Sequence, residues 1–552
     1  MRSMTLLAVV VAALFAGCSS LAPHPSEPVQ VKVLAINDFH GNLLPPQGGI
    51  RIRDPQDASK TVNVAAGGAA QLATAVRELR ERNANHIFVA AGDLVGASPL
   101  LSALFHDEPT VEALNAMGLE ASAVGNHEFD HGAAELLRLQ RGGCHPSDGC
   151  KGPLPFGGAR FAYLAASTVD TRSGRTLLPP YVVKRFQGIP VAFIGLTLKD
   201  TPQIVVPTGV AGLEFRDEVE TVNALVPELR AKGIEAIVVL IHEGGLPSGD
   251  YDECPGISGP IVDIVRHFDK AVDVVISGHT HRAYNCRIDG RLVTSADKYG
   301  TLLTEIDLTL DPKTGDMIDS RAQNLVVRAD RFAKDPRQEA LIAAYEKLAA
   351  PLAKRVVGRL SSPLSRDENA AGETPLGQVI ADAQLAATEA DAGARLALMN
   401  PGGVRAALAG AADGLVRYED LFAVQPFYNN LVTLTLRGDQ LHALLEQQWA
   451  NQAKPRILHV SRGFEYSWDA QRPPGERVLA ETMRLNGRPV MPDSTVRLTV
   501  NSFLAAGGDN FTVLKLGSDA RTGVMDIDAF EAWFQRGDVG GQGNEVRIRR
   551  LN

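Results

Sequence analysis

The sequence predicts two α/β domains in tandem, the first with a site at the carboxyl ends of its strands. Three observations lead there. A chain of 552 residues is too long for one core, so two domains of about 200 to 300 residues are expected. Strand-like and helix-like patterns alternate, and several apolar strands run into Gly, Asp, Asn or His. The stretch Val272 to His281, VDVVISGHTH, shows this most sharply: branched apolar residues around Asp273, then Gly278 and two histidines separated by Thr280. In extended backbone, alternate side chains point the same way, so His279 and His281 are expected to serve neighbouring atoms of one site.

Composition sets the class. Apolar residues at 45% and charged residues at 22% describe an ordinary soluble globular protein. A net charge of -9 without any Lys/Arg block argues against a nucleic-acid partner. Nothing in the chain marks an obligate protein partner.

Taken in order, residues 1–17 read as an export signal: Arg2, then an apolar run from Leu6 to Phe15 too short to span a bilayer. Its end, Leu14-Phe15-Ala16-Gly17-Cys18, resembles the bacterial lipobox. That implies lipidation at Cys18, export, and anchoring, with Ser19 favouring the outer membrane of a Gram-negative cell, facing periplasm or surface. Residues 18–30, rich in Pro and Ser, read as a tether. Cys144, Cys150, Cys254 and Cys286 remain, and an even count in an oxidising compartment suggests two disulfides. Three pairings are possible. The short Gly/Pro/Asp-rich loop favours Cys144–Cys150, which leaves Cys254–Cys286; a metal-binding use of the first pair is the alternative.

The first domain is expected over 31–334. Strands are predicted at Val31–Ile36, His86–Ala91, Ala121–Val124, Phe161–Ala166, Tyr181–Lys184, Ile189–Leu196, Ala236–Ile241, Arg291–Ala296 and Leu302–Leu310. Helices are predicted from Ala66–Ala69 to Arg80, at Ser102–Met117, Ala133–Leu139, Ile261–Phe268, and at Val219–Lys232 with a kink at Pro227. A linker helix follows at 335–357, with a break or kink at Pro351. The second domain, 358–552, offers a helix at Pro375–Ala386 and strands at Arg395–Met399, Leu431–Leu436, Phe464–Trp468 and Thr495–Val500.

The strand tips collect Asp38, His40, Asp93, Asn126, His242, His279 and His281. Asp38 and His40 are again expected on one side of an extended segment. Carboxylates, imidazoles and one amide suit borderline divalent ions such as Zn, Mn, Fe or Co. Seven ligands are too many for one tetrahedral ion but suffice for two ions sharing a carboxylate. Two ions about 3.5 to 4 Å apart can activate water and clamp a phosphoryl group.

The ordered set Asp-x-His, Gly-Asp, Gly-Asn-His-Glu, His and Gly-His-x-His resembles the calcineurin-like metallophosphoesterase signature. Asn126 to Asp130, with motifs in the second half, is similar to the 5'-nucleotidase family over residues 31 to about 548. The resemblance implies a four-layer α/β/β/α domain, a helical linker and a second α/β substrate-binding domain. It implies two divalent metal ions (Zn, Mn or Co), one held by Asp38, His40, Asp93 and His281. The other would be held by Asp93, Asn126, His242 and His279. His127 would stabilise charge at the phosphate, oriented by Asp130. Phe427 and Phe503 match residues that stack on the base, Asp509 a ribose-binding carboxylate, and Arg366 and Arg405 arginines near the phosphate. Asn429 matches a base contact, and Asn400 opens the turn before Arg405. The implied reaction is removal of the 5'-phosphate from nucleoside monophosphates by a metal-bound hydroxide. The alternatives are UDP-sugar or dinucleotide pyrophosphatase and 2',3'-cyclic phosphodiesterase chemistry. Two departures stand out: Ser167-Thr168 where relatives often have Ala-Asn-Val, and Tyr428 where Gly is common.

Overall fold

A computed structural model describes residues 26–452 and 454–552. The expected signal peptide 1–17, Cys18 and residues 18–25 of the tether lie outside the described residues.

Two mixed six-stranded sheets form the first half. One runs Met317–Val326, Leu302–Leu310, Val29–Ile36, His86–Ala90, Ala121–Ala123, Ala162–Leu164; the four strands from Val29–Ile36 onward are parallel. The other runs Ala283–Ile288, Arg291–Ala296, Val272–Ser277, Ala236–Ile241, Ile189–Leu196, Tyr181–Phe186, with only its two outermost pairings antiparallel. Alternation along each strand sorts the side chains. Val31, Val33 and Val89 of the first sheet meet Phe193, Val238, Leu240 and Val274 of the second in one core. Leu34, Ile36 and Phe88 face the other way, onto helical Leu72, Val76 and Leu114. Ile194, Val239 and Val275 do the same against Val222, Val226, Ile261 and Val265. Helix, sheet, sheet and helix are therefore four layers, because every central strand is apolar on both faces.

Several boundaries differ from expectation. The opening strand begins at Val29, paired with Leu310, so Val29 and Gln30 belong to the sheet and not to a tether. The helix expected at Ser102–Met117 is two, Leu100–Ala103 and Glu108–Met117, because His106 and Asp107 take left-handed backbone at φ 54° and 60°. Helix Glu218–Ala231 runs through Pro227, and Pro336–Ala353 runs through Pro351. Both prolines are exposed, where a lost backbone bond is offset by water. The linker helix ends before 357, since Val356–Arg359 is a strand paired with Leu415–Arg417. Helix Pro375–Ala392 is longer than expected and stops at Gly393, left-handed at φ 73°. A hairpin, Ile50–Arg53 with Thr61–Val64, has no counterpart in the expected elements.

The second half is built on a five-stranded sheet: His459–Val460, Leu396–Met399, Thr495–Asn501, Asn430–Arg437, Ser518–Met525. Leu100, Ala103 and Leu104 from the first half share an apolar cluster with Tyr418, Phe422 and Tyr428 of the second. Both disulfides form as favoured, Cys144–Cys150 with Cα atoms 4.6 Å apart and Cys254–Cys286 at 5.3 Å.

Candidate dinuclear metal centre

The parallel strands of both sheets end at one edge, and all seven tip residues converge there. Five of them arrive on strained backbone rather than extended chain. Asp38, His40, Asp93, His279 and His281 have φ of 50°, 45°, 50°, 68° and 53°. The expected same-side alternation of Asp38 with His40, and of His279 with His281, is therefore not how the site is made. Each chain turns sharply past its strand, and loop-to-loop bonds hold the turn: Asp38 N–H donates to Gly92 O and His40 N–H to Asp93 O, both at 3.0 Å. Left-handed residues with side chains cost about 1 to 3 kcal/mol each and cluster where geometry serves function. Gly92 must be glycine: its φ is 86°, and a Cβ there would lie 2.7 Å from His242 Nδ1.

Two groups of donor atoms, Asp38/His40/His281 and Asp93/His242/His279, each lie within 4.8 Å of one another, and a third, His40/Asp93/His127, overlaps both. Asn126 Oδ1 joins the second, 3.0 Å from His279 Nδ1. Tautomers are set from behind. His40 Nδ1 meets Gly96 O and His242 Nδ1 meets Ala91 O, both at 2.8 Å, leaving each Nε2 lone pair facing inward. His40 Nε2 then lies 3.0 Å from His281 Nε2. His242 Nε2 is buried, has no hydrogen-bond partner, and lies 2.9 Å from Asp93 Oδ2. Close pairs of acceptor atoms of this kind need a proton or a cation between them, so these residues fit a divalent ion. Electrostatics agrees. Burial opposes charge on His242 most strongly, yet Asp93 and Asp38 lift its pKa to about 10, so positive charge is drawn to this point, as a proton or as a cation in its place. Burial holds His40 and His281 well below the usual imidazole range and His279 at about 3, the neutral form a ligand needs.

Beside these groups His127 Nδ1 contacts Asp130 Oδ2 at 2.7 Å, and its backbone N–H donates to Asp93 Oδ1 at 2.9 Å. Burial again opposes charge, but Asp130 and Asp93 hold His127 above the ordinary value. Glu128, in the same motif, plays a part the sequence reading left unassigned. Its buried carboxylate accepts backbone N–H bonds from Asp93 (3.0 Å), Leu94 (2.7 Å), Val95 (3.4 Å) and Gly125 (2.6 Å). It thus fixes the loop of Asp93 to the loop of Asn126. Burial pushes its own pKa up to about 7, with the charge of Asp93 second. Tyr299, also missed, stands edge-on to His40 and His281, with centroids 6.0 and 5.9 Å away. No motif marks it.

The second half reaches into the site with two of its expected residues. The Phe427 ring lies nearly parallel to His127 at 6.0 Å, and Arg405 sits over Phe427 at 5.9 Å. Arg366 donates to Arg405 O at 2.7 Å. The others form a separate cluster. Asn400 donates to Asp509 at 2.8 Å and accepts from Asn501 at 2.9 Å. Phe503 packs on Gly508, and Asn429 accepts from Ser502 at 3.0 Å. Asp509 is ion-paired with Arg456, which no motif announced. Tyr428 is left-handed at φ 52°, which accounts for Gly being common there, and packs on Phe422 at 4.9 Å. Ser167 Oγ bridges to Thr197 O and N–H at 3.0 Å, joining the two sheets away from the donor atoms.

The calcineurin-like phosphoesterase family profile matches residues 31–283, and the 5'-nucleotidase C-terminal domain profile matches 356–516. Cell wall protein Lmo0130 of Listeria monocytogenes is 31% identical over 548 residues, covering 92% of this chain and 67% of that protein. The chain belongs to the 5'-nucleotidase family. Within the family, Endonuclease YhcR of Bacillus subtilis is 33% identical over 521 residues, 93% of this chain but 40% of that protein. The chain thus spans less than half of one curated relative and about two thirds of the other. Among solved structures, a 5'-nucleotidase precursor from Thermus thermophilus superposes with a TM-score of 0.76 at 28% identity, covering 95% of this chain and 99% of that one. This member of the 5'-nucleotidase family is a metallophosphoesterase with two α/β domains of mixed sheets and a dimetal type of centre.

Proposed function

We propose that the protein removes the 5'-phosphate from nucleoside monophosphates. The observation that carries this is the meeting of the two halves: Phe427 and Arg405 lie against His127 at the edge of the metal-ligand cluster. Asp38, His40, Asp93 and His281 would hold one divalent ion, and Asp93, Asn126, His242 and His279 the other. Such a pair supplies an activated water and neutralises phosphoryl oxygens.

The chain's own residues do the rest. Arg405 presents a planar fork of donors that suits a phosphate. His127, whose pKa Asp130 and Asp93 raise against burial, stabilises charge on the phosphoryl oxygens and hands a proton from Nε2 to the departing ribose oxygen. Asp130 holds the Nδ1–H, so Nε2 faces the substrate. Phe427 and Phe503 offer faces for the base, which any base can use. Asp509 with Asn400 and Asn429 would meet the sugar and base edges. The cysteine pairs and the apolar segment before Cys18 support an exported, lipid-anchored protein.

A second reading comes from the relative named an endonuclease: the same metal cluster can cleave a phosphodiester. The test is phosphate and product release after reconstitution with Mn, Zn or Co, blocked by chelator. The panel is AMP, UMP, UDP-glucose, NAD, cyclic 2',3'-AMP and single-stranded DNA. The proposal expects fast release from AMP and UMP. Preferred cleavage of DNA or of a pyrophosphate with AMP untouched overturns it.

A further inference from the structure

A second cluster of metal-type donors lies outside the centre just described. His106, Glu135 and His145 bring ligand atoms within 4.8 Å of one another from three segments. His106 ends the short helix Leu100–Ala103 and its turn, Glu135 lies on helix Ala133–Arg141, and His145 sits in the loop closed by Cys144–Cys150. The residue types, two imidazoles and a carboxylate, suit zinc and its neighbours.

Two features point beyond chance. First, His106 is held at φ 54° and Asp107 at 60°, a local strain that turns the His106 ring toward the disulfide loop. Second, His106 Nε2 contacts Asp148 Oδ2 at 3.0 Å. A carboxylate on that nitrogen leaves the lone pair on Nδ1, the arrangement by which outer carboxylates orient metal-binding histidines. The two rings stack at 3.8 Å and 8°, and His145 Nδ1 accepts from Asp148 N–H at 3.3 Å, so the His145 ring must turn before both rings can point a nitrogen at one ion. Around them, Arg138 serves both Glu108 and Glu135, and Lys151 serves Asp148. The Arg138 fork holds both oxygens of Glu135, at 2.8 and 2.7 Å, so a metal ion would share that carboxylate with the guanidinium.

We propose that His106, His145 and Glu135 bind a third divalent transition ion, with Asp148 orienting His106 and water completing the coordination after a rotation of the His145 ring. Such an ion would clip the disulfide loop to the turn at His106. That turn adjoins the main centre. Asp107 accepts from Gly96 N–H at 3.1 Å, and Gly96 O holds His40 Nδ1 at 2.8 Å.

Metal content distinguishes this site from the main one. Chelated protein is reloaded with Zn or Co(II), desalted and analysed for bound metal, with the Co(II) absorption spectrum recorded. Wild type should hold three equivalents, and H145A or H145N two, with AMP hydrolysis retained. His145 lies on a half-exposed loop, so either variant folds. In a His242→Ala background, the equivalent that remains outside the main centre should vanish on adding H145A, whatever the substrate is. Equal metal content and identical Co(II) spectra in wild type and both His145 variants overturn the proposal.

Discussion

Replacing Glu128 by Gln should weaken the metal centre without touching a ligand. The carboxylate gathers four backbone N–H groups, two on each oxygen: Asp93 and Gly125 on one, Leu94 and Val95 on the other. Gln keeps one acceptor and turns an amide NH2 toward the other two donors. Each orphaned buried donor costs about 1 to 3 kcal/mol, so the loss is about 2 to 6 kcal/mol. Some of it appears as lower stability. The rest appears as poorer placement of Asp93, which corresponds to a roughly 10- to 100-fold loss of metal affinity. Urea unfolding of the metal-free protein gives the first quantity and calorimetric Mn titration the second. A variant within about 0.5 kcal/mol of wild type, binding Mn equally well, refutes the view that Glu128 pins the two loops.

Other consequences are independent of that site. Asp273 accepts from Ile237 N–H at 2.8 Å, and burial pushes its pKa up to about 7 from 3.8. A raised acid stabilises the fold below its unfolded pKa, and that stability is lost as pH rises through about 7. Asp273→Asn should therefore gain about 2 to 4 kcal/mol over wild type at pH 8 and almost nothing at pH 4, read from denaturation midpoints. The bond Cys254–Cys286 closes a longer loop than Cys144–Cys150, with sequence separations of 32 and 6. Chain entropy gives about 3.7 against about 2.4 kcal/mol, so Cys286→Ser should lower the urea midpoint more than Cys150→Ser. Phe427→Ala should cost about 1 to 3 kcal/mol of base stacking, raising KM for AMP roughly 5- to 150-fold, while hydrolysis of a phosphoester without a base changes little.

Much of the site was legible because chemistry sits at strand tips. A buried strand such as Ala236–Ile241 has few ways to end in His242 for packing alone, and five such endings in order pointed to one edge. The conformation of those endings was hidden. Asp38, His40 and His279 have nothing in their residue types that announces left-handed backbone; Asp38 and His40 are held by bonds to Gly92 and Asp93 across the sheet edge, and His279 N–H by the Asp38 carboxylate. Glu128 was in plain view inside Asn126–Asp130, but only the convergence of four N–H groups gives it a role. Tyr299 and Arg456 follow from tertiary contact alone. Pro351 does not break its helix, and Pro227 likewise lies inside one, since exposure lets a helix absorb the missing bond. In the second half one long helix and four strands were readable from periodicity, but helices Tyr418–Val424, Gly438–Glu446 and Asp526–Phe534 and strand Ser518–Met525 were not, and the split at His106 depends on a turn whose residues are not glycine.

The most direct test of the account is the AMP turnover of His127→Ala at matched metal content. His127 touches Asp130 and Phe427 but is not assigned as a ligand to either ion. The account predicts that the variant keeps two ions at the main centre and binds AMP, yet loses about 100- to 10,000-fold in kcat, as expected for a removed proton donor. The loss should be smaller for substrates with a good leaving group, such as p-nitrophenyl phosphate. Wild-type kcat on AMP with both ions in place would contradict the proposed chemistry.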